Sequence, residues 1–312
     1  MSKQRVSITD NSIKNGVTND AKKAICEFIW NGFDAKAIHI NIEYQSTELG
    51  AITHLYIIDD GEGINRSQLN ETFGKYQDSI KKRSFQWSSQ VKGHKGKGRY
   101  AFNCFATRAD WTSIYSDGKN LIKHTISINA GDNHHFNDHS DSDKNYIVHN
   151  EKKGTIVSFA NVSLNQSFFE SKEFVDYLKK EYAVFLKLNG NKGKSIIING
   201  KELDYNTIIA DTDNKEIQIK DETNNKNYHF ELTFIRWKEK IKENYSYYFL
   251  DNGQIERFEK TTSLNRKDVG FHHSVYIISS YFDEFHPTSR KSQDIDEEYS
   301  QQEITFDETK FS

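Results

Sequence analysis

Between residues 20 and 37 the run DAKKAICEFIWNGFDAKA carries two patterns at once, and together they limit what can surround it. Ala24, Ile25, Phe28 and Ile29 recur at helical spacing and form an apolar stripe. Glu27, Asn31 and Asp34 fall at i, i+4 and i+7 and share the neighbouring face. The spacing predicts a helix capped by Asn19, lying on a core with its polar residues at the core's margin. An alternating stretch, HINIEY, follows, and then THLYIIDD, a buried-strand pattern that ends in two acids. A helix that runs straight into strands of this kind points to layers of helix on sheet, an α/β sandwich.

Further along, RYAFNCFATRA predicts a second apolar helix. Residues 111–129 read as a hairpin turning at Asp117-Gly118, and residues 146–160 as another turning at Lys153-Gly154. The stretch 131–145 between them reads as a solvated loop. A long helix is expected over 168–188, and SIIINGKEL is a strand that runs into an Asn-Gly turn. From about residue 200 the texture changes to aromatic-rich strands such as YHFELTFIRW and HSVYIISSYF. The expected division is therefore 1–200 and a β-rich module over 201–312 that reads as cut short.

Charge and cysteine content exclude several classes. With 42 basic and 45 acidic residues the net charge is −3, so no overall footprint for nucleic acid exists, and only a local basic patch is left open. Cys26 and Cys104 stand in apolar stretches and imply no disulfide framework. The start, MSKQRVSITDNS, lacks the apolar core of a signal peptide. No apolar run approaches the ~18 residues of a membrane span. The expected location is the cytoplasm.

Chemistry concentrates in four short segments. A carboxylate and an amide one helical turn apart, as at Glu27 and Asn31, can activate a water and ligate a hard cation, although the same spacing suits an ordinary solvated face. Asp59-Asp60-Gly61-Glu62-Gly63 follows a buried strand; an acid there can accept from an exocyclic base amine while glycines admit a flat ring, and a simple turn is the alternative. Gly93-His94-Lys95-Gly96-Lys97-Gly98-Arg99 leads into the apolar segment and can offer backbone N–H groups to phosphates; its spacing is neither a Walker loop nor the dinucleotide fingerprint. Gly154-Thr155 opens a strand and alone means little. His134, His135, His139 and His149, with Asp132, Asp138, Asp141 and Asp143, match no established metal-ligand spacing.

Taken in order, E-x-x-x-N-x-x-D-A, D-x-G-x-G, G-x-x-G-x-G and G-T resemble the GHKL, or Bergerat-fold, ATPase superfamily. That superfamily includes gyrase-type topoisomerases, ninety-kilodalton heat-shock chaperones, histidine kinases, MutL mismatch-repair proteins and MORC proteins. The resemblance implies a mixed, mainly antiparallel sheet covered by helices on one face, with a transducer-like β-rich segment after it. It implies ATP with Mg²⁺ as ligands, Glu27 as the general base and Asn31 as the metal ligand. Asp59 would bind the adenine amine, supported by Thr155, with Gly61 and Gly63 bordering the base. Gly93, Gly96 and Gly98 would form the phosphate loop, with Lys95, Lys97 and Arg99 as phosphate partners and Asp34 as a supporting acid. Residues 64–98 would be the ATP lid.

The resemblance further implies ATP hydrolysis and a clamp that forms a homodimer on ATP, with an effector or client protein as partner. A weaker analogy links stand-alone proteins of this texture to stress or antiviral defence. A catalytic lysine would come from the second half, where Lys238, Lys240 and Lys260 stand without a motif to choose among them. Two rivals are a nucleotide-sensing module with little turnover and a histidine-kinase-type phosphotransferase. The latter is disfavoured by the short stretch before Glu27.

Overall fold

The computed structural model describes residues 2–5, 18–69, 98–132, 135–138, 152–221, 225–241, 245–264 and 270–283. Helix α1 spans Ala21–Asp34. Its cap is Asp20, not Asn19: the Asp20 backbone is extended, and its carboxylate accepts from the Lys22 N–H at 2.9 Å. The apolar stripe is buried as expected, with Ala24, Ile25 and Ile29 fully enclosed.

Nine strands form the first sheet: β1 (Ser2–Arg5), β2 (His39–Ser46), β3 (Ile52–Asp59), β4 (Arg108–Ser116), β5 (Leu121–Asn129), β6 (His135–Asp138), β7 (Gly154–Ala160), β8 (Ser195–Ile198) and β9 (Lys201–Glu202). Their order is β1-β6-β5-β4-β7-β3-β2-β8-β9, and only β2 and β8 run parallel. Alternation divides the two faces. Ile40, Ile42, Leu55, Ile57, Trp111, Val157 and Phe159 face the helices and are buried. Phe28 of α1 meets Phe159 edge-on at 5.0 Å and Trp111 at 6.3 Å.

Three expectations for the stretch between residues 99 and 160 need correction as well. The segment RYAFNCFATRA is not an α-helix: Gly98–Cys104 is a 3₁₀ helix, and β4 has already begun at Arg108. Its apolar residues are contiguous and lack the one-sided stripe that a longer helix needs. Residues 146–160 do not form a hairpin around β7, because β3 and β4 occupy both edges of that strand; residues 146–151 lie outside the described residues. The stretch 131–145 is not all solvated loop, since β6 lies within it and buries Phe136 and Asp138.

The helix expected over 168–188 is broken at Ser171 into α2 (Gln166–Glu170) and α3 (Lys172–Leu188). Ser171 is extended, and its hydroxyl accepts from the Phe174 N–H at 3.1 Å, so it caps α3. Helix α3 packs on α1 through an aromatic block: Trp30 lies 4.7 Å from Tyr182, and Phe33 lies 4.7 Å from Phe185. The Tyr182 hydroxyl, whose pKa burial holds well above the usual range, donates to the Cys26 carbonyl at 2.9 Å.

A second sheet of five strands follows: β10 (Ile209–Asp221), β11 (Lys226–Trp237), β12 (Ser246–Leu250), β13 (Glu256–Thr261) and β14 (His273–Ile278), in the order β10-β11-β14-β12-β13. It is held to α3 by the Lys180–Glu239 ion pair at 2.9 Å, and Asn189 at the end of α3 donates to Gln254 at 2.9 Å. No described helix is long and apolar enough to cross a membrane.

Candidate functional site

The site is assembled where α1 crosses the end of β3. Asp59 is the last residue of β3 and pairs in register with Ile40 of β2 and Thr155 of β7. Helix α1 can come this close only because it carries Gly32: a Cβ there would lie 2.4 Å from Ile40 Cδ1 and 3.0 Å from Asp59 Cβ. One carboxylate oxygen of Asp59 accepts from the Gly61 N–H at 2.9 Å. Gly61 is itself pressed against α1, where a Cβ would lie 2.6 Å from the Ala35 carbonyl. On the other side Gly154 has φ 145°, and a Cβ there would lie 2.1 Å from the Asp59 carbonyl. Thus three glycines bring main chain close to Asp59 from α1, from its own turn and from β7.

The segment after Asp59 is clamped by two residues that motif spacing did not single out. Ser113 of β4 accepts from the Ile64 N–H at 2.7 Å, and His124 Nε2 donates to the Ile64 carbonyl at 2.8 Å. Burial keeps the His124 pKa below its usual value, so the ring is neutral with its proton on Nε2. The Ser113 hydroxyl also lies 3.4 Å from that of Thr155, which is buried opposite Asp59. A signal did exist: Ser113 and His124 occupy core-facing positions of strands whose other inward residues are apolar. Gly63, at φ 75°, lies where a Cβ would meet the Ile114 carbonyl at 2.2 Å.

On α1 Glu27 and Asp34 are half-buried and Asn31 is exposed. Gly98 packs directly on Glu27, since a Cβ would stand 2.4 Å from Glu27 Oε2. The end of the glycine segment is thereby brought to the acid of α1. Arg99 is buried with its guanidinium 4.9 Å from the Tyr100 ring centroid. Gly93, Lys95, Gly96 and Lys97 lie outside the described residues. Arg66, just after the clamp, pairs with buried Asp138 of β6 at 3.1 Å.

Residues 18–155 match the model of the family described as histidine kinase-, DNA gyrase B-, and HSP90-like ATPase. The matched span starts just before the cap of α1 and ends on Thr155, so it encloses all four motifs. Residues 18–155 are a GHKL-type ATPase domain. With β8 completing a mixed sheet that has helices on one face, the arrangement is the Bergerat fold, and binding of ATP is the activity that the GHKL family brings to it. No curated protein matches the chain.

Several residues stand apart from the GHKL site. Lys238 donates to the Thr207 carbonyl at 2.8 Å, and Lys260 lies on β13, paired with Tyr247 of β12. Among the described residues no group of three His, Cys, Asp or Glu side chains could hold a metal ion. His135 bonds Asp132 at 2.5 Å, while His134, His139, His149, Asp141 and Asp143 lie outside the described residues. Burial raises the Cys104 thiol to about 11, which leaves it protonated and inert at neutral pH.

Proposed function

We propose that the chain binds Mg·ATP beside α1 and the end of β3 and hydrolyses it. The observation that carries this reading is the contact of Gly98 with the Glu27 carboxylate, in the middle of the helix whose Gly32 packs on Asp59. In this reading Asp59 accepts from the adenine amine with its second oxygen, next to the Thr155 hydroxyl. Gly61 and Gly63 border the base, and the absence of a Cβ lets the chain after Asp59 lie against α1 and β4. Asn31, exposed one turn beyond Glu27, offers an amide oxygen of the hard type that Mg²⁺ takes. An ion held by Asn31 would offset phosphate charge. Glu27 acts as general base, taking a proton from the attacking water.

The clamp reading belongs here too. In that reading residues 1–18 cross to a second subunit when ATP is bound, which would require β1 to leave β6, with which it pairs in this chain. The five-stranded sheet, gripped by α3, is proposed as the transducer-like segment.

Two substitutions separate recognition from chemistry. Asp59→Ala loses a hydrogen bond to a charged group, about 1.5–3 kcal/mol or roughly 10- to 150-fold in ATP affinity by calorimetry. Glu27→Ala keeps ATP affinity but loses about 10²–10⁴-fold in turnover. Unchanged ATP binding in a folded Asp59→Ala protein overturns the adenine assignment, and undiminished turnover in Glu27→Ala overturns the base.

A further inference from the structure

The face of the nine-stranded sheet turned away from α1 carries a hollow of about 360 Å³. Register explains why it exists. Two neighbouring rows of residues cross this face. One runs Ile197, Asn41, Ile58, Ile156, Thr112. The next runs from His39 and Asp60 through Gly154 to Ile114 and Lys123. Gly154 leaves a gap in the second row between Asp60 and Ile114, and its φ of 145° and the adjacent Asp59 carbonyl keep any side chain out.

The lining is divided by chemistry. Ile58, Ile114, Ile156 and Ile197 make an apolar floor, and Ile156 is 41% exposed despite its place in mid-sheet. Lys123, Lys152 and Lys153 line one side, the last two exposed. The acid of the lining on this face, Asp60, is already engaged: it accepts from the Ile38 N–H at 2.7 Å, the His39 N–H at 2.9 Å and His39 Nδ1 at 2.7 Å. Burial raises its pKa, but these bonds outweigh burial and leave it below the usual carboxylate range. Asp60 therefore stays ionised and turned to its own loop, and the lysines dominate the field at the opening.

We propose that this hollow binds a small organic anion with a flat apolar body, of the aryl carboxylate or aryl phosphate class. The volume falls in the range of small-molecule sites, about 300–1,000 Å³. The isoleucine floor suits a flat ring, and the ammonium groups suit a carboxylate or phosphate as point charges. Asp59 and Thr155 also border the hollow, but they stand in register with Ile40 on the helix-covered face, so strand alternation turns the Asp59 carboxylate and the Thr155 hydroxyl away from it and towards the GHKL pocket. The two sites therefore share a wall at Asp59, Gly154 and Thr155.

The probe is 2-naphthoate, titrated calorimetrically into the full chain saturated with an ATP analogue and Mg²⁺, with neutral 2-naphthamide as control. Saturable binding of naphthoate that persists with the analogue present is expected, with naphthamide at least about tenfold weaker. The double variant Lys152→Glu/Lys153→Glu should weaken naphthoate about tenfold or more while keeping the parent's ATP affinity, which certifies its fold. Ile156→Asp is the second variant, should the first not fold, and should weaken both probes. Absence of saturable binding, displacement by the analogue, equal affinity for the amide, or indifference to the substitutions would each overturn the proposal.

Discussion

Gly98→Ala tests the role of Glu27 without altering its chemistry. Gly98 opens the 3₁₀ helix and does not have a positive φ, so alanine meets no backbone penalty there. By restricting the unfolded chain it stabilises slightly, by about 0.4–1 kcal/mol. The added methyl stands 2.4 Å from Glu27 Oε2, while Glu27 Cβ and Cδ are at an ordinary 3.4 Å. Only the end of the side chain must yield, and reaching that ordinary separation moves the carboxylate oxygen by about 1 Å. A general base misplaced by about 1 Å costs on the order of 10²-fold in rate, or about 2.7 kcal/mol in the barrier. The fold should therefore survive with Tm within a few degrees of the parent. ATP affinity should change by no more than about threefold, because alanine keeps the backbone N–H that a phosphate loop offers and the adenine contacts lie elsewhere. Steady-state turnover and calorimetric binding on the same preparation separate these outcomes. A Gly98→Ala protein that hydrolyses ATP at the parent rate would show that the Glu27 carboxylate is not where the water is activated.

Three other outcomes follow from the geometry. Gly63→Ala places a methyl at φ 75° and 2.2 Å from the Ile114 carbonyl; both obstacles are backbone, so a loss of about 2–4 kcal/mol is expected in denaturant titration. For His124, the folded pKa lies below the unfolded one, so its contribution is complete above about pH 6.5 and is lost as pH falls toward the folded pKa. Below about pH 6.5 the parent should lose up to about 1.4 kcal/mol per pH unit from this group, and His124→Gln should show a flatter profile; parallel profiles refute the neutral-ring assignment. For the clamp, light scattering at matched concentration should report a two-fold particle with a non-hydrolysable ATP analogue and Mg²⁺ but not with ADP, since only differential affinity shifts the equilibrium; an identical mass in all states removes the clamp.

How much of this was legible in the sequence depended on how local the cause was. The 111–129 hairpin and the Asn199-Gly200 turn were readable because alternation and turn residues lie next to one another in the chain. Strand β6 was not, because it exists through pairing with β1 and β5, and only Phe136 and Asp138 of its four residues are buried. The break at Ser171 was hidden by apolar residues on both sides of it. At the site, Glu27, Asp59 and Thr155 could be named from the order of four motifs and their resemblance to a family, and the register does set Asp59 beside Thr155. Ser113 and His124 escaped because their role comes from a register between strands that no linear spacing records.

The three glycines packed around Asp59 have a consequence for how this protein can change over generations. A pocket shaped by side chains can lose one group and recover through a second substitution nearby that fills or vacates the space. Around Asp59 the limiting contacts of Gly61 and Gly154 are to the Ala35 and Asp59 carbonyls, atoms that every amino acid shares. No exchange of a neighbouring residue can move such an atom out of the way. A damaged glycine here should therefore lack suppressors in the pocket itself, and a library screen seeded with Gly154→Ala should return reversion and little else.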